Sequence, residues 1–542
     1  MESTKSPGKV LWLIFFFLFT GKVNAEINRY VVYFTDKENN TFTLAQPHEF
    51  LSERSITRRL NQNIPLRFSD LPVTTDYIQG LKNQGAKVFY RSRWLNAALV
   101  EADDSLLEPL KALTFVQKIE FVAPGSKLKG ARISRYKKNS RDNDFKVKSE
   151  STAFQNQMLG VDLMHGGGYK GQQKLIGVFD GGFINVDNIS FFDHLFLENR
   201  ILSTHDFVTN DLDVYKYDDH GTNVFSCLAA FEQNSYVGTA FGGNYVLCVT
   251  EDIENEYRIE EYNWLFAAEY ADSIGVEIIN SSLGYNTFDD PSMNYTYQDL
   301  DGKTAIISKA AKMAAAKGMV VVASAGNEGN KLWKYIVPPA DADSIISVGA
   351  VDNSLTRAFF SSVGPTSDDR IKPEVAALGL GTRSIGSSGN IILTNGTSLS
   401  TPLITGFVAG VWQKNPHLTN MEVIELVKNS GSNANSPDNE LGYGIPDFSK
   451  IPLLTDQSGS ENLVLSPNPT YNDKLFLKVS PVLREQMEIR IYNLSGQVVE
   501  SKKFINPVGD IIDLETTSLK AGMYILAVES LNTIEKVKFI KF

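Results

Sequence analysis

Cysteine, histidine and long apolar runs are all scarce in this chain of 542 residues. It has only two cysteines, Cys227 and Cys248, which excludes a disulfide framework and any zinc site built from several thiolates. A single bridge and two buried thiols both stay open for this pair. Basic residues are also in deficit, because 52 Lys and Arg stand against 63 Asp and Glu, a net charge of −11. This balance argues against a nucleic-acid partner bound through a general basic surface.

What is present is a globular composition, with 42% hydrophobic and 21% charged residues. The length indicates several domains at the usual ~150 residues each. The charge is uneven: residues 26–150 carry 21 Lys and Arg against 15 Asp and Glu, and residues 151–542 carry 28 against 47. Opposite net charges are expected if the N-terminal part docks on the rest of the chain. A drift in surface composition would give the same pattern.

The one pronounced apolar run is Val10–Phe19, which follows Lys5 and Lys9 and precedes small residues up to Ala25. It is shorter than the ~20 residues of a membrane-spanning helix. A positive start, a short apolar centre and small residues at the end predict a secretory signal peptide over residues 1–25. We therefore expect an exported protein.

Residues 26–123 have the pattern of a small α/β domain, with strands at Tyr30–Phe34 and Ala97–Val100. Residues 124–150 are rich in Lys, Arg, Ser and Asn and have few large apolar side chains. Such a segment cannot bury enough surface to fold, so it is predicted to be an exposed basic linker where a protease would cut.

Residues 151–455 alternate between strand and helix patterns, which predicts an α/β domain with a mostly parallel sheet between two layers of helices. Its clearest elements are strands at Lys174–Phe179, Val276–Asn280 and Met319–Ser324, and helices at His220–Ala230, Thr304–Lys317 and Ser398–Lys414. Residues 461–542 show short alternating runs separated by turn signals, which predict a small C-terminal β-sandwich.

The candidate catalytic residues lie in the central domain. Asp180 ends a buried strand, His220 opens a helix, and Ser398 follows Gly-Thr at another helix start. A serine becomes a nucleophile when an imidazole takes its proton and a carboxylate holds that imidazole. Asn327, just after a third strand, offers a donor for the developing oxyanion. Each motif alone is also typical of a turn or a helix cap. Together, the order Asp, His, Ser favours a serine hydrolase and excludes the α/β-hydrolase and chymotrypsin orders.

This combination resembles the subtilisin-like (S8) serine peptidases over residues 151–450. The resemblance implies the subtilisin-like three-layer fold and a secreted serine endopeptidase that needs no cofactor for catalysis. It also implies Asp180, His220 and Ser398 as the triad and Asn327 in the oxyanion hole. The substrate cleft would be lined by Ser282, Leu283, Gly284, Ser324, Ala325 and Gly326, which would pair with a polypeptide substrate as an added strand.

Some residues depart from the family pattern. Asn223 stands where a second histidine is usual, and Leu403 stands where the histidine of Ala-Pro-His is common. Neither change removes a catalytic group. A non-catalytic surface binding protein on the same scaffold is the alternative function, and an intact set of four catalytic residues argues against it. A general peptidase and a processing enzyme for one partner protein stay equally open.

The flanking parts carry resemblances of their own. Residues 26–123 look like the propeptide of this family, which chaperones folding and occupies the cleft until it is removed; a permanent accessory domain is the alternative. The motif Ser92–Asn96 is similar to one in Bacteroidetes members. Residues 461–542 resemble the sorting domain of the type IX secretion system, on the motifs Leu465–Pro469, Ile491–Gly496, Leu519–Tyr524 and the Lys-rich end Lys536–Phe542. This implies a Gram-negative bacterium, a secreted or cell-surface location and the type IX secretion machinery as a partner. A carbohydrate-binding or adhesive sandwich is the alternative.

The segment Thr250–Glu256, followed by Glu260 and Glu261, is strongly acidic. The pattern favours a solvated surface, while a subsite for basic substrate side chains and a carboxylate cation site stay open. Many family members bind calcium, but no loop here has EF-hand spacing. We predict no metal ligands and leave structural calcium open.

Overall fold

The computed structural model describes residues 27–125 and 152–453, and in the C-terminal part residues 463–466, 470, 474–480, 486–493, 496–505, 511–520, 522–530 and 533–541. The predicted signal peptide (1–25) and nearly all of the predicted linker (126–150) lie outside these residues, as do positions 467–469, 494–495, 521 and 542 of the sorting motifs. In the part that is described, no helix is long and apolar enough to cross a membrane.

The N-terminal domain is an antiparallel sheet of four strands in the order β2-β3-β1-β4, with three helices. Ser52 caps the first helix by accepting a hydrogen bond from the Ser55 N–H at 3.2 Å. One side of the sheet packs on the helices around Val32, Leu81 and Val100. The elements are β1 Ile27–Phe34, α1 Glu53–Asn61, α2 Thr75–Asn83, β2 Lys87–Ser92, β3 Ala97–Asp103, α3 Leu107–Lys111 and β4 Val116–Pro124.

The central domain is built on a seven-stranded sheet in the order β13-β12-β11-β10-β5-β9-β6, in which all paired strands run parallel. This confirms the predicted parallel α/β architecture. The inner strand β5 is buried along its whole length, as expected of a strand covered on both faces. The strands are β5 Leu175–Asp180, β6 Ile201–Asp206, β7 Phe231–Glu232, β8 Tyr236–Val237, β9 Asn244–Val249, β10 Ile278–Ser281, β11 Val320–Ser324, β12 Ile346–Val351, β13 Val375–Leu378, β14 Thr382–Ile385 and β15 Ile391–Thr394.

Helices cover both faces of this sheet and form two cores. The larger core joins the sheet to helices α7, α10 and α11, and the second joins it to α8 and α9. Cys227 and Cys248 are buried, free thiols. The helices are α4 Ala153–Gln157, α5 Val161–Gly166, α6 Asp193–Leu197, α7 His220–Ala229, α8 Ile259–Ile274, α9 Ile306–Ala316, α10 Thr397–Lys414 and α11 Asn420–Asn429.

The C-terminal domain has two antiparallel sheets, β16-β17-β20 and β19-β18-β21-β22. Their inner faces share one core that includes Leu475, Ile489, Leu526 and Phe539, which agrees with the predicted sandwich. The strands are β16 Leu463–Ser466, β17 Lys474–Val479, β18 Gln486–Tyr492, β19 Val498–Ile505, β20 Ile511–Glu515, β21 Gly522–Ser530 and β22 Thr533–Lys541.

Candidate active site

The carboxyl ends of the parallel strands meet along one edge of the central sheet, where ligands of open α/β sheets bind. Asp180 is the last residue of β5 and is fully buried. Its Oδ1 accepts hydrogen bonds from His220 Nδ1 and from the Gly181 N–H, both at 2.8 Å. The strand therefore presents a fixed carboxylate to the imidazole.

His220 is the first residue of α7, and its side chain is 35% exposed. Because Nδ1 faces Asp180, Nε2 is left for the reacting groups. Gly221 is what lets the helix start so close to the strand end: a Cβ there would lie 2.1 Å from the Gly182 carbonyl oxygen and 3.0 Å from the Asp180 Cβ.

The electrostatics of this pair favour an imidazole that holds its proton strongly. Burial by itself would lower the pKa of His220, but the charge of Asp180 and its hydrogen bond outweigh that effect and raise the pKa to about 9. Burial also raises the pKa of Asp180, while His220 opposes that shift. A carboxylate buried beside one imidazole is suited to stabilise an imidazolium.

Ser398 lies in the first turn of α10, which packs against α7 on the same face of the sheet. Its Oγ donates to the Ser282 carbonyl oxygen at 3.2 Å, and the Ser282 Oγ donates back to the Ser398 carbonyl oxygen at 2.9 Å. The start of α10 is thus tied to the segment that follows β10. The helix N-terminus also places backbone N–H groups around Ser398.

Asn327 follows β11 and is held by Thr397, the residue before Ser398. Its Oδ1 accepts hydrogen bonds from the Thr397 N–H at 2.9 Å and from the Thr397 hydroxyl at 3.1 Å. With the oxygen occupied, the amide orientation is set and Nδ2 is available as a donor. No role for Thr397 is predicted from the sequence; a hydroxyl side chain directly before Ser398 is the feature that could have indicated one.

The six predicted cleft residues lie on two neighbouring strand ends. Ser282–Gly284 follows β10, and Ser324–Gly326 spans the end of β11. The Ser324 hydroxyl donates to the Leu283 carbonyl oxygen at 3.3 Å, so the two segments are joined side by side. Gly326 adopts a φ of +107°, a left-handed conformation that favours glycine, where its N–H donates to the Thr397 hydroxyl.

The acidic segment differs from expectation. The sequence favours a solvated surface, yet Asp252, Glu260 and Glu261 are buried and only Glu254 is exposed. Glu260 and Glu261 lie in the first turn of helix α8, and the Tyr295 hydroxyl donates to Glu261 Oε2 at 2.8 Å. Across the described ranges, no group of three or more His, Cys, Asp and Glu side chains is arranged to hold a metal ion.

The N-terminal domain docks on helix α8 through buried charges. Asp272 of α8 accepts hydrogen bonds from three guanidinium groups: Arg93 at 2.5 Å, Arg59 at 2.8 Å and Arg58. Nearby, Glu269 accepts from the Ser92 hydroxyl at 2.5 Å. The basic N-terminal part and the acidic body are thus in contact, and the motif that contains Ser92 and Arg93 lies at their interface.

Comparison with known proteins finds three segments of the chain that match known families. Residues 171–444 match the Subtilase family, residues 29–141 match the Peptidase S8 propeptide domain of Bacteroidota, and residues 465–541 match the secretion system C-terminal sorting domain. The chain is 27% identical over 367 residues to Subtilisin NAT of Bacillus subtilis subsp. natto, covering 67% of this chain and 82% of that protein. It is 30% identical over 278 residues to Subtilisin DY of Bacillus licheniformis, covering 51% of this chain and 90% of that protein.

The three matched segments follow one another along the chain and account for most of its length. The sorting domain and the propeptide domain indicate an exported protein, secreted or held at the cell surface. The chain belongs to the subtilase family and is a serine endopeptidase that carries its propeptide and a type IX secretion sorting domain.

Proposed function

We propose that Ser398, His220, Asp180 and Asn327 hydrolyse peptide bonds through an acyl-enzyme. The observation that carries this is the hydrogen bond of 2.8 Å between buried Asp180 and His220, at the sheet edge where Ser398 lies in the first turn of helix α10. Removing the Asp180 carboxylate from water costs stability, and such buried, perturbed acids are concentrated at functional sites.

In the first half-reaction, the Ser398 hydroxyl gives its proton to His220 Nε2 while Oγ attacks the scissile carbonyl carbon. The carbonyl oxygen becomes an oxyanion, held by Asn327 Nδ2 and the Ser398 N–H. His220 then gives the proton to the leaving amine, the C–N bond breaks, and the acyl chain stays on Oγ. Asp180 stabilises the imidazolium in both steps.

In the second half-reaction, water replaces the amine. His220 takes a proton from the water, the hydroxide oxygen attacks the acyl carbon, and the bond to Oγ breaks as Ser398 regains its proton. The backbone of Ser282–Gly284 and Ser324–Gly326 would hold the substrate as an added strand, which suits polypeptides of varied sequence. No cofactor takes part in these steps.

Kinetics of variants test this proposal with a fluorogenic peptide and processed enzyme, each variant precursor being cleaved in its linker by added wild-type enzyme, which is then removed. Asp180→Asn should lower kcat by about 10⁴ because it removes the imidazolium's counter-charge and its tautomer control. Asn327→Ala should lower kcat by about 10²–10³ with little change in KM. Ser398→Ala should also lose labelling by a fluorophosphonate. A Ser398→Ala protein as active as wild type would overturn the proposal, and an inert wild type would favour a non-catalytic binding protein.

The pH profile gives a second test. The base must be neutral, so kcat/KM should rise with pH through an apparent pKa above the ordinary 6.5 of histidine, toward about 9. Asp180→Asn should move that apparent pKa down, since the charge that raises it is gone. An unchanged profile in the variant would contradict the assignment of Asp180.

A further inference from the structure

A group of carboxylates lies beside the catalytic residues but has no part in the mechanism. We call Glu251, Glu256, Glu260 and the hydroxyl of Tyr285 the carboxylate cluster. The Thr250 N–H donates to the Asp180 carbonyl oxygen at 3.0 Å, so Glu251 follows directly on the strand beside the catalytic acid. Tyr285 comes immediately after the proposed substrate-pairing segment Ser282–Gly284. The cluster therefore borders the cleft.

The cluster has an accessible side and a buried base. Glu251 and Glu256 are half-buried, and the Tyr285 hydroxyl donates to Glu251 Oε1. Glu260 is 1% exposed and lies in the first turn of helix α8. Its Oε1 accepts the Asp252 N–H at 2.6 Å, but its Oε2 has no hydrogen-bond partner among the described residues. A buried carboxylate oxygen without a donor is costly and points to a missing one.

The missing group should carry a positive charge. Burial raises the pKa of Glu260 well above its usual range, and the charges of Glu251 and Glu256 add to this; burial likewise raises the pKa of Glu256 to about 7. In the residues that the structure covers, neither Glu256 nor Glu260 forms an ion pair with Lys or Arg. The nearby Arg258 is used elsewhere, since its guanidinium donates to the Met293 carbonyl oxygen and stacks over Tyr295.

We infer that the carboxylate cluster is a specificity subsite for a basic side chain, Lys or Arg, of the polypeptide substrate near the scissile bond. This inference rests on the function proposed above. The ammonium or guanidinium group would donate to Glu260 Oε2 and lie between the carboxylates of Glu251 and Glu256. Charged hydrogen bonds at a buried site are strong enough to select a substrate.

The chain itself supplies a matching substrate. The predicted processing segment, residues 124–150, carries nine basic residues: Lys127, Lys129, Arg132, Arg135, Lys137, Lys138, Arg141, Lys146 and Lys148. The linker is attached to the peptidase domain and is therefore the first polypeptide available to the cleft. A subsite for Lys or Arg would accept its side chains. Charge complementarity thus joins the subsite to the processing of the precursor.

Paired peptides test the inference with the processed enzyme. Internally quenched peptides would differ only by Lys or norleucine, an uncharged chain of similar length, at each position on either side of the scissile bond. We expect one position at which kcat/KM for Lys exceeds that for norleucine by about tenfold or more. Glu260→Gln should reduce this ratio by about tenfold, and Glu251→Gln should reduce it in the same direction. Glu254→Gln, an exposed acid of the same segment, is the matched control and should keep the wild-type ratio.

Other outcomes separate this inference from the proposed function. If wild type cleaves the peptides through Ser398 but distinguishes Lys from norleucine at no position, the subsite is wrong and the catalytic proposal stands. A Lys preference that survives both Glu260→Gln and Glu251→Gln also overturns the subsite. If calcium raises the Tm of wild type but not of Glu260→Gln, and no Lys preference exists, the cluster holds a metal ion instead. Cleavage of no peptide at all would overturn both proposals.

Discussion

The two domains that flank the peptidase domain are stabilised in different ways. The N-terminal domain shares a hydrophobic core with the peptidase domain, in which Tyr33 and Trp94 pack with Tyr262 and Phe266 of helix α8. Among the described residues, the core of the C-terminal domain contains only members from Leu463 to Phe539. The first domain is therefore built as a partner of the peptidase domain, and the second as a module with a core of its own.

The two flanking domains also differ in the burial of their ion pairs. At the N-terminal interface Asp272 lies fully buried among Arg58, Arg59 and Arg93. In the C-terminal domain, the ion pairs of Arg490 with Glu488 and Glu529 involve partly exposed side chains. Breaking a buried ion pair by removing one partner is costly, because the other charge is left unpaired. Exposed pairs contribute little.

Deletion of each flanking domain should give the largest difference between the two. A chain made without residues 27–125 has no partner for Asp272 or for the apolar face around Tyr262 and Phe266 while it folds, so we expect it to aggregate or to fold without activity. Loss of residues 463–542 should leave peptide hydrolysis and the Tm of the peptidase domain unchanged. Soluble yield, activity and calorimetry measure both. An N-terminally deleted chain that folds with wild-type Tm and activity would show that the shared core is not needed.

A single substitution at the interface should have the next largest effect. In a Ser398→Ala background, which keeps the precursor whole, Asp272→Ala should lower the free energy of unfolding by about 3–5 kcal/mol, because three arginines lose their common partner. Asp513→Ala, at an exposed position of the C-terminal domain, should change it by less than about 0.5 kcal/mol. Chemical denaturation gives both values. Equal effects at the two sites would contradict the contrast.

Removing one hydroxyl should have a smaller effect. Tyr33 and Tyr262 share a buried hydrogen bond of 2.6 Å across the interface, so Tyr33→Phe should cost about 1 kcal/mol and weaken docking of the N-terminal domain. Tyr524→Phe removes a bond of 2.8 Å to the Lys520 carbonyl oxygen and is the matched control in the C-terminal domain. Its cost should appear only in the unfolding of that domain. Hydrogen exchange of each domain distinguishes the two results.

Acid should have almost no effect on docking between pH 7 and 5. Burial would raise the pKa of Asp272, but Arg93, Arg58 and Arg59 outweigh it and hold the pKa well below its usual range. A carboxyl whose pKa is lowered in the folded complex stabilises that complex at any pH above its unfolded pKa of about 3.9. This stabilisation is lost only as the pH falls through the lower pKa of the folded complex. Native mass spectrometry of the cleaved complex should therefore find the N-terminal domain still bound at pH 5. Release at that pH would show that another group controls docking.

Much of this arrangement follows from local pattern. The buried strand that ends at Asp180 and the helices that start at His220 and Thr397 stand close to where the sequence predicts them, because apolar runs and helix starts are local features. No helix is predicted from the sequence at Ile259–Ile274. Helix α8 is buried on nearly all sides, so it lacks the amphipathic stripe that would indicate it, and its first acids, Glu260 and Glu261, belong to the segment that the sequence favours as solvated.

The partners of those acids could not be predicted. Arg93 and Asp272 are 179 positions apart, and the donors to Asn327 lie 70 positions away. Contacts at such separations depend on how the domains pack, which local periodicity does not contain. Local pattern thus predicts where strands and helices lie, but not which side chains surround Asn327 or Asp272.

The most direct test of the central claim compares the denatured mass and N-terminal sequence of the purified precursor with those of its Ser398→Ala variant. If Ser398 is the nucleophile and the N-terminal domain is a removable partner, wild type will lose that domain by a cut within residues 124–150, and the variant will stay whole. Cleavage of both proteins to the same extent, or of neither while both are folded, would contradict self-processing by Ser398.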